Sequence, residues 1–233
     1  PGAEIEPRTI TRIELERSSN RLARTYAARG VGHGDLVTIG LPNGIAFLEA
    51  CVAVWKLGAV PQPISHRLPA FERDAIVAAA APRLVLDAEV LTATPDPSRP
   101  VPDLADADDP DRLVAVVFTS GTTGTPKGAM FANAELAAIA TADGVTGWAD
   151  PDGAALAQFA ATQFAHVGFM TKLPWYLQAG MTTHLLRRWR APEVLALVER
   201  ERIATIGGGG ARDSPLWRGP PLGGHAPSWV GRP

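Results

Sequence analysis

The chain has 233 residues, 46% hydrophobic and 20% charged, which is a soluble globular composition long enough for a real core and one or two domains, and unlike a chain disordered throughout. A formal charge of −2 with no long basic run argues against a general nucleic-acid or membrane-surface role; Arg187, Arg188 and Arg190 beside Trp189 are too few to alter that. The single cysteine, Cys51, excludes an intrachain disulfide and a cysteine zinc cluster and makes a reducing cytoplasm the natural setting.

The start, Pro1 to Pro7, lacks the basic-then-apolar pattern of a signal peptide, and the missing initiator methionine points to a trimmed chain or a natural amino terminus upstream. From Thr9 to Gly30 the spacing of Ile13, Leu22, Ala23, Tyr26 and Ala27 predicts one helix, closed by Gly30 in a left-handed cap. Gly32 to Asp35 is a turn, Leu36 to Leu41 a buried strand, and Pro42-Asn43-Gly44 turns into a second helix. In that helix Phe47, Cys51 and Trp55, with Leu48 and Val52, repeat at helical spacing, so Cys51 reads as a small core residue and not as a nucleophile. Glu49 and Lys56 interrupt the stretch, which therefore cannot span a membrane. Lys56 is expected on the solvent side.

Gly58 ends the second helix, Ala59 to Ile64 is extended, a short helix covers Ala70 to Ala80, and Arg83 to Asp87 is the next strand. Alternating strands and helices predict a layered α/β fold with a largely parallel sheet. Thr92 to Arg112 is rich in Pro and Asp without an apolar period, and reads as a surface connection whose charges are solvated.

Leu113 to Phe118 is a strand, and it runs into Thr119-Ser120-Gly121-Thr122-Thr123-Gly124-Thr125-Pro126-Lys127-Gly128. Glycines at 121, 124 and 128 let the main chain bend and bring N–H groups to an anion, hydroxyls add donors, and Lys127 supplies charge. A kinase-like or GTPase-like loop is excluded. Pro126 stands where that motif needs glycine, Gly128 where it needs a magnesium-binding hydroxyl, and proline opposes an immediate helix start. Lys127 should end a hydroxyl-rich hairpin, Ala129 to Phe131 should continue as a strand, and Asn133 can cap a helix to about Thr141.

The order Ser-Gly-Thr-Thr-Gly-x-Pro-Lys-Gly after a buried strand resembles the phosphate loop of the AMP-forming acyl and aryl ligases, the adenylate-forming family. Gly30-Val31, Gly34 to Val37, Pro42-Asn43 and Lys56 to Pro61 match that family's amino-terminal signature in order and spacing, as scaffold and not as chemistry. The resemblance implies that Thr119, Ser120, Gly121, Thr122, Thr123 and Gly124 cradle the β- and γ-phosphates of ATP and that Lys127 neutralises the leaving pyrophosphate. Magnesium would accompany the ATP, and coenzyme A would take the acyl group.

Beyond the loop, Asp150 to Gly153 is a turn and Ala155 to Phe159 a strand; a mixed apolar segment from Val167 ends near Gly180, followed by the strand Thr182 to Leu186. Pro192 opens a helix through about Glu201, and Ile203 to Ile206 is a strand. Gln163 to Phe169 resembles the family segment in which an aromatic residue and a histidine lie between carboxylate and nucleotide. Two readings of His166 stay open: a group beside the substrate carboxylate, or a histidine hydrogen-bonded within an apolar segment. His33, His66, His184 and His225 read as surface or loop residues, no histidine pair has helical metal-ligand spacing, and no residue is assigned to a metal. Trp175 and Tyr176 read as core.

After Ile206 the composition turns to Gly, Pro, Arg and Trp, which supports neither helix nor central strand. The expectation is a partial adenylation domain over 1–206, the layered α/β amino-terminal part of the family's fold, and an irregular tail over 207–233 translated out of frame or otherwise foreign. The family's adenine-gripping and ribose-holding segments and its carboxy-terminal domain with the catalytic lysine are not found, so no complete catalytic set is expected here. By resemblance the function is ATP-dependent activation of a carboxylic acid, a fatty acid foremost, to acyl-AMP and acyl-CoA. The chain would be a weakly active or inactive remnant, a non-enzymatic interaction module or unstable fragment, or one half of a split ligase completed by a downstream fragment.

Overall fold

The computed structural model describes residues 8–87, 106, 108–119, 126–142, 157–160, 162–178, 180, 182–186, 190–201 and 203. The 206/207 boundary and the tail, the expected strand from Ile203 to Ile206 beyond its first residue, and the turn at Asp150 lie outside these residues.

Helix α1 (Arg12–Ala28) begins one turn later than its apolar spacing suggests. Thr11 is the cap, its hydroxyl accepting from the Glu14 N–H while the Glu14 carboxylate accepts from the Thr11 N–H at 2.7 Å, a reciprocal capping box. At the other end Gly30, at φ 83°, donates to the Ala27 carbonyl, and Val31 donates to Tyr26. These are the two bonds of a Schellman cap. Strand β1 (Leu36–Ile39) follows, then α2 (Ile45–Lys56), which closes the same way: Gly58 at φ 68° bonds Trp55 and Ala59 bonds Val54.

Strand β2 (Val60–Pro63), helix α3 (Ala70–Ala80) and strand β3 (Leu84–Leu86) complete the first unit, with β1 parallel to β2 on one side and to β3 on the other. Val60 and Ile64 donate to Asp35 and Ile39, so the alternate residues Pro61 and Pro63 turn their ring nitrogens to the far edge of β2. Val37, Ile39 and Leu86 join Ala23, Tyr26, Phe47, Cys51 and Val54 in one core beneath the two helices. Cys51 has no exposed surface and burial pushes its thiol up, as a core residue requires.

Several side chains depart from expectation. Ile13 is 64% exposed, because it stands on the face of α1 turned away from α2. Lys56 does not extend unpaired from its helix: its Nζ meets both Glu16 carboxylate oxygens, at 2.7 and 2.8 Å, in a solvent-facing pair that ties α2 to α1. At one described position the acidic connection is not simply solvated. Asp106 lies 2.6 Å from the His33 ring nitrogen and 3.9 Å from Arg112, and the histidine holds its carboxyl below the usual range. His33 is thus a paired residue.

Strand β4 (Leu113–Thr119) packs beside β2 and pairs antiparallel with β5 (Lys127–Ala132). The Trp55 indole N–H donates to the Val114 carbonyl at 2.7 Å, and Arg112 donates to the Trp55 carbonyl. Helix α4 (Asn133–Ala142) starts at Asn133: the Ala132 N–H finds the Glu135 carboxylate at 2.7 Å, and the Asn133 amide donates to the Asp109 carbonyl.

Strand β6 (Ala157–Ala160) pairs in parallel with β7 (Thr182–Leu185), and between them the expected apolar segment forms two short helices, α5 (Val167–Met170) and α6 (Leu173–Gln178). Helix α7 (Ala191–Glu201) covers the Phe159 face through Val194, Leu197 and Val198. Among the described residues, no helix is long and apolar enough to cross a membrane.

His184 lies opposite Phe159 in this ladder and is half-buried, not a loop residue. Its Nε2 is buried without a hydrogen-bond partner among the described residues, which a neutral ring tolerates better than a charged one. Burial lowers its pKa, outweighing the attraction of Glu201, while Arg200 acts in the same direction as burial.

Two outcomes are expected. Phe47→Ala, which removes a fully buried ring, should cost about 3–5 kcal/mol in urea unfolding. Because His184 takes up its proton more readily when unfolded, stability should be complete above about pH 6.5 and fall as the pH drops towards the lower folded value. A pH series of melts should show that slope flattened in His184→Phe; an unchanged slope would contradict the assignment.

Candidate active site

The site begins where the β4–β5 hairpin leaves the core. Val114, Ala115, Val116 and Val117 are buried, so the strand is held by apolar packing up to Phe118. Thr119 and Lys127 then face each other as the last register pair at the hairpin mouth. The segment expected to bind phosphate thus connects two paired strands, and the chain enters a strand after it and not a helix. Ser120, Gly121, Thr122, Thr123 and Gly124 lie outside the described residues. The Lys127 side chain is exposed at the mouth.

Gly128 has a different task from the bend expected of it. It sits within β5 opposite Phe118, and a Cβ there would come within 2.9 Å of Val116 Cγ1 and 3.2 Å of the Phe118 ring. Absence of a side chain lets the β4 residues fold over the strand, so Gly128 shapes the hairpin beneath the loop.

The second cluster is built on α5, which packs against β4 and so brings the 163–169 segment to the strand that feeds the loop. Phe164 and Phe169 are fully buried and stacked, centroids 3.7 Å apart at 6°, with Phe47 of α2 edge-on to them at 5.4 and 6.2 Å. Tyr176 leans on Phe169. This aromatic wedge anchors the segment and leaves His166 exposed at the start of α5. The His166 Nδ1 accepts from the Gly168 N–H at 3.3 Å. A ring nitrogen that accepts carries no proton, so the neutral ring holds its proton on Nε2.

Asn43 is a residue that sequence reasoning treated only as scaffold. Its amide donates to the Thr162 carbonyl at 3.1 Å and accepts from the Phe164 N–H at 2.9 Å. Its position in the turn before α2 was legible, but its partners, more than a hundred positions away, were not. His66 is exposed on the turn before α3, and His225 lies outside the described residues. Among the described residues, no three His, Cys, Asp or Glu side chains gather around a cation position.

Comparison with known proteins agrees with this architecture. The family model for AMP-binding enzymes matches residues 4–208. The long-chain-fatty-acid–CoA ligase FadD13 of Mycobacterium tuberculosis is 27% identical over 236 residues, 88% of this chain and 46% of the relative. A feruloyl-CoA synthase of an Amycolatopsis species is 32% identical over 220 residues, 85% of this chain and 43% of the relative. O-succinylbenzoate coenzyme A synthetase from Bacillus subtilis, in complex with AMP, superposes with a TM-score of 0.73 over 87% of this chain and 56% of its own, a likeness of fold at 22% identity. The chain spans less than half the length of the curated relatives it matches. With a match that takes in all of its described residues, the chain belongs to the AMP-binding enzyme family, the adenylate-forming ligases.

Proposed function

We propose that this chain supplies the ATP-phosphate and carboxylate sides of an acid-activating ligase site. The observation that carries the reading is the pairing of Thr119 with Lys127 where two antiparallel strands are joined by the sequence Ser-Gly-Thr-Thr-Gly-Thr-Pro. That sequence, with Lys127 at its end, carries N–H groups, hydroxyls and one ammonium suited to a polyphosphate and no anionic side chain to repel it. The Bacillus synthetase is known with AMP and also with ATP and magnesium, which supports a nucleotide for this hairpin as well.

In the proposed reaction a carboxylate oxygen attacks the α-phosphorus of ATP, the bond to the bridging oxygen of the β-phosphate breaks, and acyl-AMP and pyrophosphate form. Thr119 to Gly124 hold the β- and γ-phosphates, and Lys127 offsets the charge that grows on the leaving pyrophosphate. Magnesium travels with the phosphates. His166, with its proton on Nε2, donates to a carboxylate oxygen and orients it towards phosphorus. The thiol of coenzyme A then attacks the acyl carbon, giving the thioester and AMP. The fatty-acid and feruloyl ligases among its relatives make a fatty or aromatic acid the class to test first.

Adenylation depends on groups from several segments acting together, so the chain alone is proposed to turn over weakly or not at all and to need the remainder of a ligase for full rate. Its coverage of less than half of each relative favours that reading.

Titration with ATP and magnesium tests the phosphate side. The wild-type protein should bind, and Lys127→Ala, which removes one charged contact, should weaken binding by roughly ten- to a hundredfold while leaving the melting temperature in place. Equal affinity in both proteins would remove the hairpin from the site.

A further inference from the structure

We infer that Asn43 is a positioning residue for His166, holding the turn that presents the imidazole to the acid. The inference rests on the carboxylate-side reading of His166 given above and concerns how that side chain is kept in place.

Strand β6 ends at Ala160 and α5 begins at Val167, so the backbone between them has neither ladder nor helix to satisfy it. The side-chain amide of Asn43 does this work from the other end of the sequence. Its Nδ2 donates to the Thr162 carbonyl and its Oδ1 accepts from the Phe164 N–H. The two bonds fix the orientation of the amide, because the reverse arrangement would set oxygen against oxygen and nitrogen against nitrogen. Within the turn, the His166 N–H donates to the Gln163 carbonyl at 3.0 Å, which carries the restraint to His166 itself.

The apolar half of the same grip comes four residues later. Phe47, one helical turn beyond Asn43, packs edge-on against the stacked rings of Phe164 and Phe169. Phe164 is therefore held through its backbone by Asn43 and through its ring by Phe47. At the far side of the turn the Gly168 N–H occupies the His166 Nδ1. What remains for a ligand is Nε2–H on an exposed ring, a donor suited to a carboxylate oxygen and placed by a residue that need not touch the substrate.

The test uses the full chain, labelled with ¹⁵N. In the wild-type protein the His166 ring should show the Nε2-protonated tautomer and the Phe164 amide should exchange slowly. In Asn43→Ala, Phe164 protection should fall roughly tenfold, the scale of one hydrogen bond, and the His166 ring resonances should shift, while the amides of Ala23 and Val54 keep theirs. Asn43→Asp keeps an acceptor for the Phe164 N–H but loses the donor to Thr162, so it should retain Phe164 protection and still shift His166. In acid-dependent exchange of pyrophosphate into ATP, Asn43→Ala should raise the KM for the acid roughly tenfold and leave that for ATP unchanged. Unmoved Phe164 and His166 signals, or equal changes for acid and ATP, would overturn the assignment. If the wild-type protein shows no exchange with any acid, as the weak turnover proposed for the chain alone allows, the spectroscopic comparison by itself decides the role of Asn43, and the ligase reading stands or falls separately on the binding of ATP and magnesium.

Discussion

The bond from the Trp55 indole to the Val114 carbonyl joins the helical half of the core to the strand that carries the loop. An indole N–H in a packed interior needs an acceptor, and a carbonyl of β4 supplies it at the point where that strand enters the core. Arg112, one residue before the strand, returns a bond to the Trp55 carbonyl, so the entry of β4 is fixed from both directions. From there the buried run to Val117 leaves little freedom in where Thr119 emerges. The course of β4 up to the start of the loop is in this way set inside the protein.

Helix α2 therefore has two duties at its two ends. The turn at its start grips the segment leading to His166 through Asn43, and its first turn adds Phe47; its last turn grips β4 through Trp55. A helix of 12 residues is about 18 Å long and stiff over that length. Two segments far apart in sequence, one proposed for the acid and one for phosphate, are thus referred to the same rod. Lys56 and Glu16 then lock that rod to α1.

What could be read from the sequence was local. Gly30 and Gly58 announce their helix ends because a glycine followed by an apolar residue suits a left-handed cap, and the six apolar residues before Thr119 announce β4. The loop names the family because its residue order is unusual. Lys56, Asp106, His184 and Asn43 were misread or undervalued for a common reason: what determines each is a group outside its own segment. Lys56 finds Glu16 forty positions back, Asp106 finds His33 at a separation of 73, and Asn43 finds its partners at separations of 119 and 121. From sequence Gly128 reads as one of the glycines that let the loop bend, whereas cross-strand contact with Val116 and Phe118 explains its small size.

The alternating prolines of β2 have a consequence for how the molecule behaves among its own copies. With Pro61 and Pro63 turned to the far edge, that edge offers carbonyls but no N–H groups at those two positions, and β4 lies beside β2 without a hydrogen-bonded ladder among the described residues. An unfolding intermediate that lost β4 would expose an edge unable to accept a regular new strand. The parallel sheet is thereby protected from templating aggregation at the seam where its two units meet.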